Sequence, residues 1–323
     1  MDYTPLTFAP ILKPKVWGGR RLEHWGKQLP AAVNIGESWE LADLPPEIEN
    51  GCSIVDEGTA AGTSLRRLVE QDPEGILGRL SDSCRDGFPL LLKFLDARES
   101  LSVQVHPDAA YARANPGAHL KTESWLVLEA EPGAVIYKGV REGVTREDFA
   151  SAIREGSVID QLVEVPVKAG DVHDLPSGTC HALGGGVLVA EIQTPSDTTF
   201  RVFDWGRTDR ELHIEQALEC IRFAPPDPTP EAVVIDSGDL RTSLLSKTPF
   251  YAVERIENDV KSTIPMATDD APEVLMMIDG KASLGDTHLP PGRTVLLPAK
   301  LAPLELQLDE GSSLLRITVD HDG

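Results

Sequence analysis

Strand-like apolar runs in this chain are short, and glycine, proline or aspartate cuts each one off. EVLMMIDGKASL and RTVLLPA, both within residues 231–323, show the pattern. With 27 glycines and 25 prolines in the chain, long helices are hard to place and tight reversals are easy. Many short strands joined by turns fit an antiparallel sandwich or barrel, in which each strand buries one face. Residues 1–60 have the same broken β texture. Residues 89–106 (PLLLKFLDARESLSVQVH) read as two strands around a polar turn, and strands return at 123–138 and 165–204. Three segments, 64–80, 145–164 and 211–222, have the apolar spacing or first-turn acids of helices. The proline-rich FAPPDPTPEA that follows reads as a linker, so the expected division is residues 1–228 and 229–323.

Charge narrows the function classes. The chain carries 30 Lys and Arg against 52 Asp and Glu, a formal charge of -22. A nucleic-acid groove or an anionic membrane surface needs clustered cations, so neither is expected. A small anionic substrate is not excluded, because a few local cations override the global field. No apolar run approaches the roughly 18 residues of a membrane span, and the first residues lack the zones of a signal peptide. Cys52, Cys84, Cys180 and Cys220 are scattered without a CxxC, which predicts free thiols and a cytoplasmic location.

Two stretches carry chemistry. Strand alternation in Leu101–His106 puts Leu101, Val103 and Val105 on one face and Ser102, Gln104 and His106 on the other. Such a polar row either faces solvent or lines a site. Lys121 and Glu123 share a face, which on its own reads as a surface ion pair. Gly170 to His181 has the pattern G-x5-P-x-G-x2-H, a tight turn that presents His181 between strands. Gly292 and Pro298 repeat the first part of the pattern without the histidine. Two related barrels, one with a site and one without, would account for this. One Gln, two His and one Glu form a ligand set for a divalent cation, and mixed N and O donors suit zinc, iron, manganese, cobalt or nickel.

The G-x5-P-x-G-x2-H turn is the second motif of the cupin barrels, and Gln104-x-His106 with Glu123 stands where the first motif belongs. IGESWEL (35–41), LSVQVHPD (101–108), KTESW (121–125), PSGTCHA (176–182) and EIQTPSDTTFRVFDW (191–205) together resemble the type I mannose-6-phosphate isomerases in their short bacterial form. The resemblance implies a mainly β fold of two cupin-like jelly-roll barrels with a few added helices, the second without metal ligands. It implies one zinc per chain, held by Gln104, His106, Glu123 and His181. It also implies interconversion of mannose 6-phosphate and fructose 6-phosphate, with Arg201, Glu191 and Lys121 in catalysis and Ser102 and Lys93 on the substrate phosphate. The expected partner is a small sugar phosphate, with the chain a monomer or homodimer.

Within this reading Glu191 is the first choice of proton-transfer base and Lys121 the second, and Arg201 would stabilise developing negative charge. Bland alternatives stand beside these roles: a structural Glu191–Arg201 pair, and a snorkelling Lys93 in the run PLLLKFL. The cluster Glu37-Ser38-Trp39-Glu40 is expected to pack, and Cys180 to face away from the site. His119 is expected not to be a ligand, and His173 neither to bind metal nor to line the pocket. The competing functions are an isomerase of unphosphorylated aldoses, a cupin dioxygenase and a sugar-sensing cupin. The short spacing from Glu123 to His181 leaves no room for the large helical insertion of the long family members.

Overall fold

The computed structural model describes residues 3–84, 86–228, 231–236 and 238–319. Its elements form four antiparallel sheets. A six-stranded sheet runs in the order Ile11–Gly19, Ile35–Leu41, Leu91–Ala97, Val187–Gln193, Glu123–Ala130, Val172–Leu175. Facing it is a five-stranded sheet, in the order Phe200–Phe203, Val103–Val105, His181–Leu183, Val135–Val140, Leu162–Pro166. These two make the first barrel. The second pairs a seven-stranded sheet with a four-stranded one. The expected mainly β fold of two cupin-like jelly rolls is observed.

Burial explains the stacking. Along Val187–Gln193, Leu188, Ala190 and Ile192 face the second barrel, where they join Val274, Met276, Leu315 and Ile317 in one buried cluster. The intervening Val187 and Val189 face into the first barrel, with Trp125, Val127, Ile136 and Leu183. The two large sheets therefore pack back to back, and each small sheet closes its own barrel. A strand buried on both faces belongs at the centre of such a stack, and all seven residues of Val187–Gln193 are buried. On the outer side of the five-stranded sheet, Val103, Val105, Cys180 and Ala182 pack under Phe149 and Ala217 of helices Arg146–Glu155 and Ile214–Cys220.

The faint repeat is a real correspondence. Gly170 (φ 92°) and Gly292 (φ 80°) are both left-handed, a conformation that glycine takes at little cost. Gly170 donates its N–H to Val127 O while Val127 donates to Asp171 O; Gly292 donates to Met277 O while Met277 donates to Arg293 O. In the first barrel Glu123 pairs with Leu175 and Leu126 with Val172. In the second, Glu273 pairs with Leu297 and Met276 with Thr294. Read across the sheets, Glu123, Trp125, Glu191 and Lys93 occupy the places of Glu273, Leu275, Arg316 and Glu254.

The helices are shorter than expected. The 64–80 segment splits at Asp72-Pro73 into Leu65–Gln71, Pro73–Leu77 and a 3-10 turn at Gly78–Leu80, because proline opens a helix but cannot continue one. The 145–164 helix stops at Glu155, where Gly156 caps it at φ 75°, and its tail becomes a 3-10 turn and the strand Leu162–Pro166. The 211–222 helix is Ile214–Cys220. The first strand, Leu6–Thr7, pairs with Thr294–Leu297 in the seven-stranded sheet of the second barrel.

Candidate metal centre and active-site cleft

Both sheets of the first barrel contribute to one buried polar cluster. Gln104 points inward from Val103–Val105, and His181 is its cross-strand partner on the next strand. Val103 and Val105 pack outward as alternation predicts, but Leu101, outside that strand, joins the barrel interior instead. His106 follows the strand, and Glu123 opens the strand Glu123–Ala130 of the facing sheet. His181 Nε2 lies 3.0 Å from Glu123 Oε1, His106 Nε2 3.5 Å from Glu123 Oε2, and Gln104 Nε2 3.5 Å from His181 Nε2. One donor atom each from His106, Glu123 and His181 falls within 4.8 Å of the others. The polar row is therefore not solvent-facing: Ser102 and His106 are each 2% exposed.

The residues fit a divalent cation. His106 Nδ1 lies 2.8 Å from Thr198 O and His181 Nδ1 2.8 Å from Thr179 O. A carbonyl takes the N–H of each ring, which leaves the Nε2 lone pairs for the centre. His106 Nε2 and both Glu123 oxygens are buried without a satisfactory hydrogen bond, an arrangement that costs stability unless a cation fills it. Burial, then the charge of Lys121, holds His106 well below the ordinary histidine pKa. Burial opposes ionisation of Glu123, but Lys121 and the two histidines outweigh it and hold the carboxyl well below its usual range. Neutral imidazoles and an ionised carboxylate are the forms that bind metal. Gln104 Oε1 accepts from Ser102 Oγ at 3.1 Å, and offering that oxygen inward only exchanges the two similar ends of the amide.

Lys121 Nζ lies 2.7 Å from Glu123 Oε2, and both residues are buried, so this is no surface pair. Lys93 does not snorkel: it is 6% exposed on a central strand, and its ammonium donates to Glu191 Oε1 at 2.9 Å and Gln193 Oε1 at 2.7 Å. Burial alone would favour neutral Lys93, but Glu191 and Glu37 raise its pKa. Trp125 Nε1 donates to Glu191 Oε2 at 3.0 Å, and the Trp125 ring meets His181 edge-on at 5.4 Å. Glu191 thus pairs with Lys93 and Trp125, not with Arg201. Arg201 Nη1 donates to Glu211 O at 2.8 Å.

Ser102, Gln104, Lys121, Glu191 and Arg201 line one cavity of about 420 Å³. Its other cations are Lys13, Lys15, Lys93 and Arg210, and its carboxylates are Glu37, Asp197 and Glu191. On a chain of charge -22, this mouth attracts an anion.

Sequence reading missed part of that wall. Glu37 and Trp39 line the cavity instead of merely packing. Trp39 Nε1 donates to Glu37 Oε2 at 2.7 Å, and Lys15 lies 2.9 Å from Glu37 Oε1. Burial works against the Glu37 charge, but Lys15 and Lys93 hold its pKa at about 2. Lys13, Lys15 and Trp17 were missed too, though their spacing of two along Ile11–Gly19 puts them on one strand face. Arg210 had no local signal. His119 is exposed and His173 is not in the ligand cluster, as expected. His173 pairs across the sheet with Trp125, and Cys180 packs on the outer face, away from the centre.

Comparison with known proteins places the chain. The model of the phosphomannose isomerase type I catalytic domain matches residues 7–130. The mannose-6-phosphate isomerase of Streptococcus mutans is 39% identical over 255 residues, 77% of each chain. That of Bacillus subtilis is 37% identical over 260 residues, 78% of this chain and 79% of the relative. The crystal structure of a B. subtilis mannose 6-phosphate isomerase superposes with a TM-score of 0.85 at 29% identity, covering 97% of this chain and 99% of that one. A variant of the Salmonella typhimurium phosphomannose isomerase, 17% identical, shares the fold with a TM-score of 0.76 over 98% of this chain and all of its own. The buried His-Glu-His cluster, the cation-lined cleft and these relatives together make the chain a member of the type I phosphomannose isomerase family.

Proposed function

We propose that the protein is a zinc-dependent aldose–ketose isomerase that interconverts mannose 6-phosphate and fructose 6-phosphate through an enediol(ate). The observation that carries this reading is the set of buried, unsatisfied donor atoms on His106 and Glu123 beside a cleft rich in cations. Gln104, His106, Glu123 and His181 would hold the ion. When bound, it supplies Lewis-acid stabilisation of charge on the sugar's reacting oxygens, worth several kcal/mol. Glu191 carries the proton between the two adjacent carbons, and Lys121 is the second choice for that role. The Lys93 ammonium and the Trp125 indole fix the Glu191 carboxylate, so its orientation is set before substrate arrives. Arg201 opposes the negative charge that develops when the proton leaves. Ser102 and Lys93 hold the phosphate. Residues 229–323 form the second unit and bind no metal.

The test is a coupled assay after chelation and zinc add-back, with mannose 6-phosphate and with free mannose. Zinc-restored turnover of the phosphorylated sugar supports the reading. Turnover of free mannose alone keeps the metal site and removes the phosphate assignment. Oxygen uptake without isomerisation would favour a dioxygenase.

A further inference from the structure

Two guanidinium groups, Arg201 and Arg210, line one side of the cleft, and the buried Asp204 carboxylate pairs with Arg210 and with the neighbouring Arg207. Arg210 donates through Nε to Asp204 Oδ2 at 2.8 Å and through Nη2 to Asp204 Oδ1 at 2.5 Å. Arg207 donates to the same Oδ1 at 3.0 and 2.9 Å. Asp204 is 3% exposed. Arg201 adds another cation whose Nε is buried without a hydrogen bond. Burial, then the nearby charge of Arg210, pulls the Arg201 pKa down. Asp209, Asp197 and Glu99 are nearby carboxylates, but all three are exposed, so water screens them. Arg210 lines the cavity, and its Nη1 has no hydrogen-bond partner among the described residues.

The loop that carries Arg210 is built for placement. Trp205 (φ 54°) and Gly206 (φ 82°) are consecutive left-handed residues, which reverse the chain so that Arg207 and Arg210 both fall on Asp204. Trp205 pays for a conformation that a bulky residue seldom adopts, and contacts on several sides hold it there. Its indole donates to Leu101 O at 2.6 Å, and its ring meets Phe203 at 5.4 Å. Arg207 donates to Ser100 O at 2.7 Å. The loop is thus stitched to the two residues that precede Ser102.

We propose that Arg210, oriented by Asp204, is a specificity-determining residue that binds the phosphate of the sugar beside Ser102. This rests on the sugar-phosphate reading above. A guanidinium whose one edge is clamped by a buried carboxylate offers its remaining N–H groups to an anion with little reorganisation. Arg207 keeps Asp204 satisfied when Arg210 is replaced, so Arg210→Met is expected to fold.

The experiment measures kcat and KM for mannose 6-phosphate and free mannose, together with calorimetric titration of inorganic phosphate. It uses the wild type, Arg210→Met, Arg210→Lys and Asp204→Asn. In Arg210→Met, KM for mannose 6-phosphate is expected to rise about 10- to 100-fold, as for loss of a charge-assisted hydrogen bond, with kcat changed far less. The loss with free mannose is expected to be at least about tenfold smaller, and phosphate affinity is expected to fall in parallel with the rise in KM. Arg210→Lys recovers part of the loss, and Asp204→Asn gives an intermediate KM. Unchanged KM and unchanged phosphate affinity in Arg210→Met overturn the inference and leave the isomerase reading intact. Arg210-dependent phosphate binding without turnover of either sugar supports the subsite and overturns that reading.

Discussion

The two barrels share one strand order and one turn, yet only the first gathers a metal-ligand cluster among the described residues. Glu123 and Glu273 occupy equivalent places. Glu123 faces two imidazoles, whereas Glu273 accepts both Nε and Nη2 of Arg316 at 2.7 Å. Where Glu191 and Lys93 pair in the first barrel, Arg316 and Glu254 stand in the second with the signs exchanged and 3.8 Å apart. Opposite them, leucines 304, 306 and 308 line the strand that takes the place of His181–Leu183. The scaffold is thus indifferent to chemistry. What distinguishes the site is a buried carboxylate that faces two imidazoles besides its Lys121 pair.

The comparison is most sharply tested at the two glutamates. Glu123→Gln is expected to lose about 1,000-fold in turnover together with its bound metal, measured by elemental analysis. Glu273→Gln should retain turnover within about twofold and lose about 1–3 kcal/mol of stability. Equal losses of activity in the two variants would break the comparison. Next come the ion pairs. Lys93→Met strands a buried Glu191 and should cost about 3–5 kcal/mol in urea unfolding. Glu254→Gln removes half of a longer, partly exposed pair and should cost under about 1 kcal/mol.

His173 and Val295 form a third equivalent pair. Burial, then Lys138, lowers the His173 pKa to about 4, against about 6.5 in the unfolded chain. Between those values the unfolded state binds the extra proton. Stability therefore falls as pH drops from about 6.5 to 4, by a few kcal/mol at most. His173→Phe should flatten that part of the curve of unfolding midpoint against pH, and an unchanged curve would rule His173 out as its source. The smallest effect is expected at Tyr251, whose hydroxyl crosses between the barrels to Ile192 O at 2.9 Å and lies 3.0 Å from Ser124 Oγ. Tyr251→Phe should cost about 1–2 kcal/mol, with a modest fall in kcat if the second barrel helps to hold the strands that carry Glu123 and Glu191.

The ligand cluster was legible through motifs that resemble those of a known family, whereas alternation alone grouped Ser102, Gln104 and His106 on one face without deciding between solvent and a site. Helix ends were misplaced where Asp72-Pro73 and Gly156 interrupt an apolar spacing that continues past them. Glu37 and Trp39 were expected only to pack because the sequence gives their cluster no chemical role; Ser38 and Glu40 are indeed buried, Glu40 2.6 Å from Lys27. Nothing near Arg210 in the chain marks it as part of the cleft. Its place depends on Asp204, on the left-handed Trp205 and on the backbone of residues 100 and 101, which only the folded loop brings together.

The strand Leu6–Thr7, which lies in the second barrel's sheet beside Thr294–Leu297, has a consequence for how the molecule is made. That pairing closes a loop of nearly the whole chain, among the most non-local contacts available and so among the slowest to form. During synthesis the first strand must wait for almost the last, and until it docks the edge of Thr294–Leu297 is open to a neighbouring chain. Residues 229–323 made alone would keep that edge exposed permanently. The Leu6–Thr7 strand thus covers an edge of a sheet whose other strands all lie between residues 233 and 319.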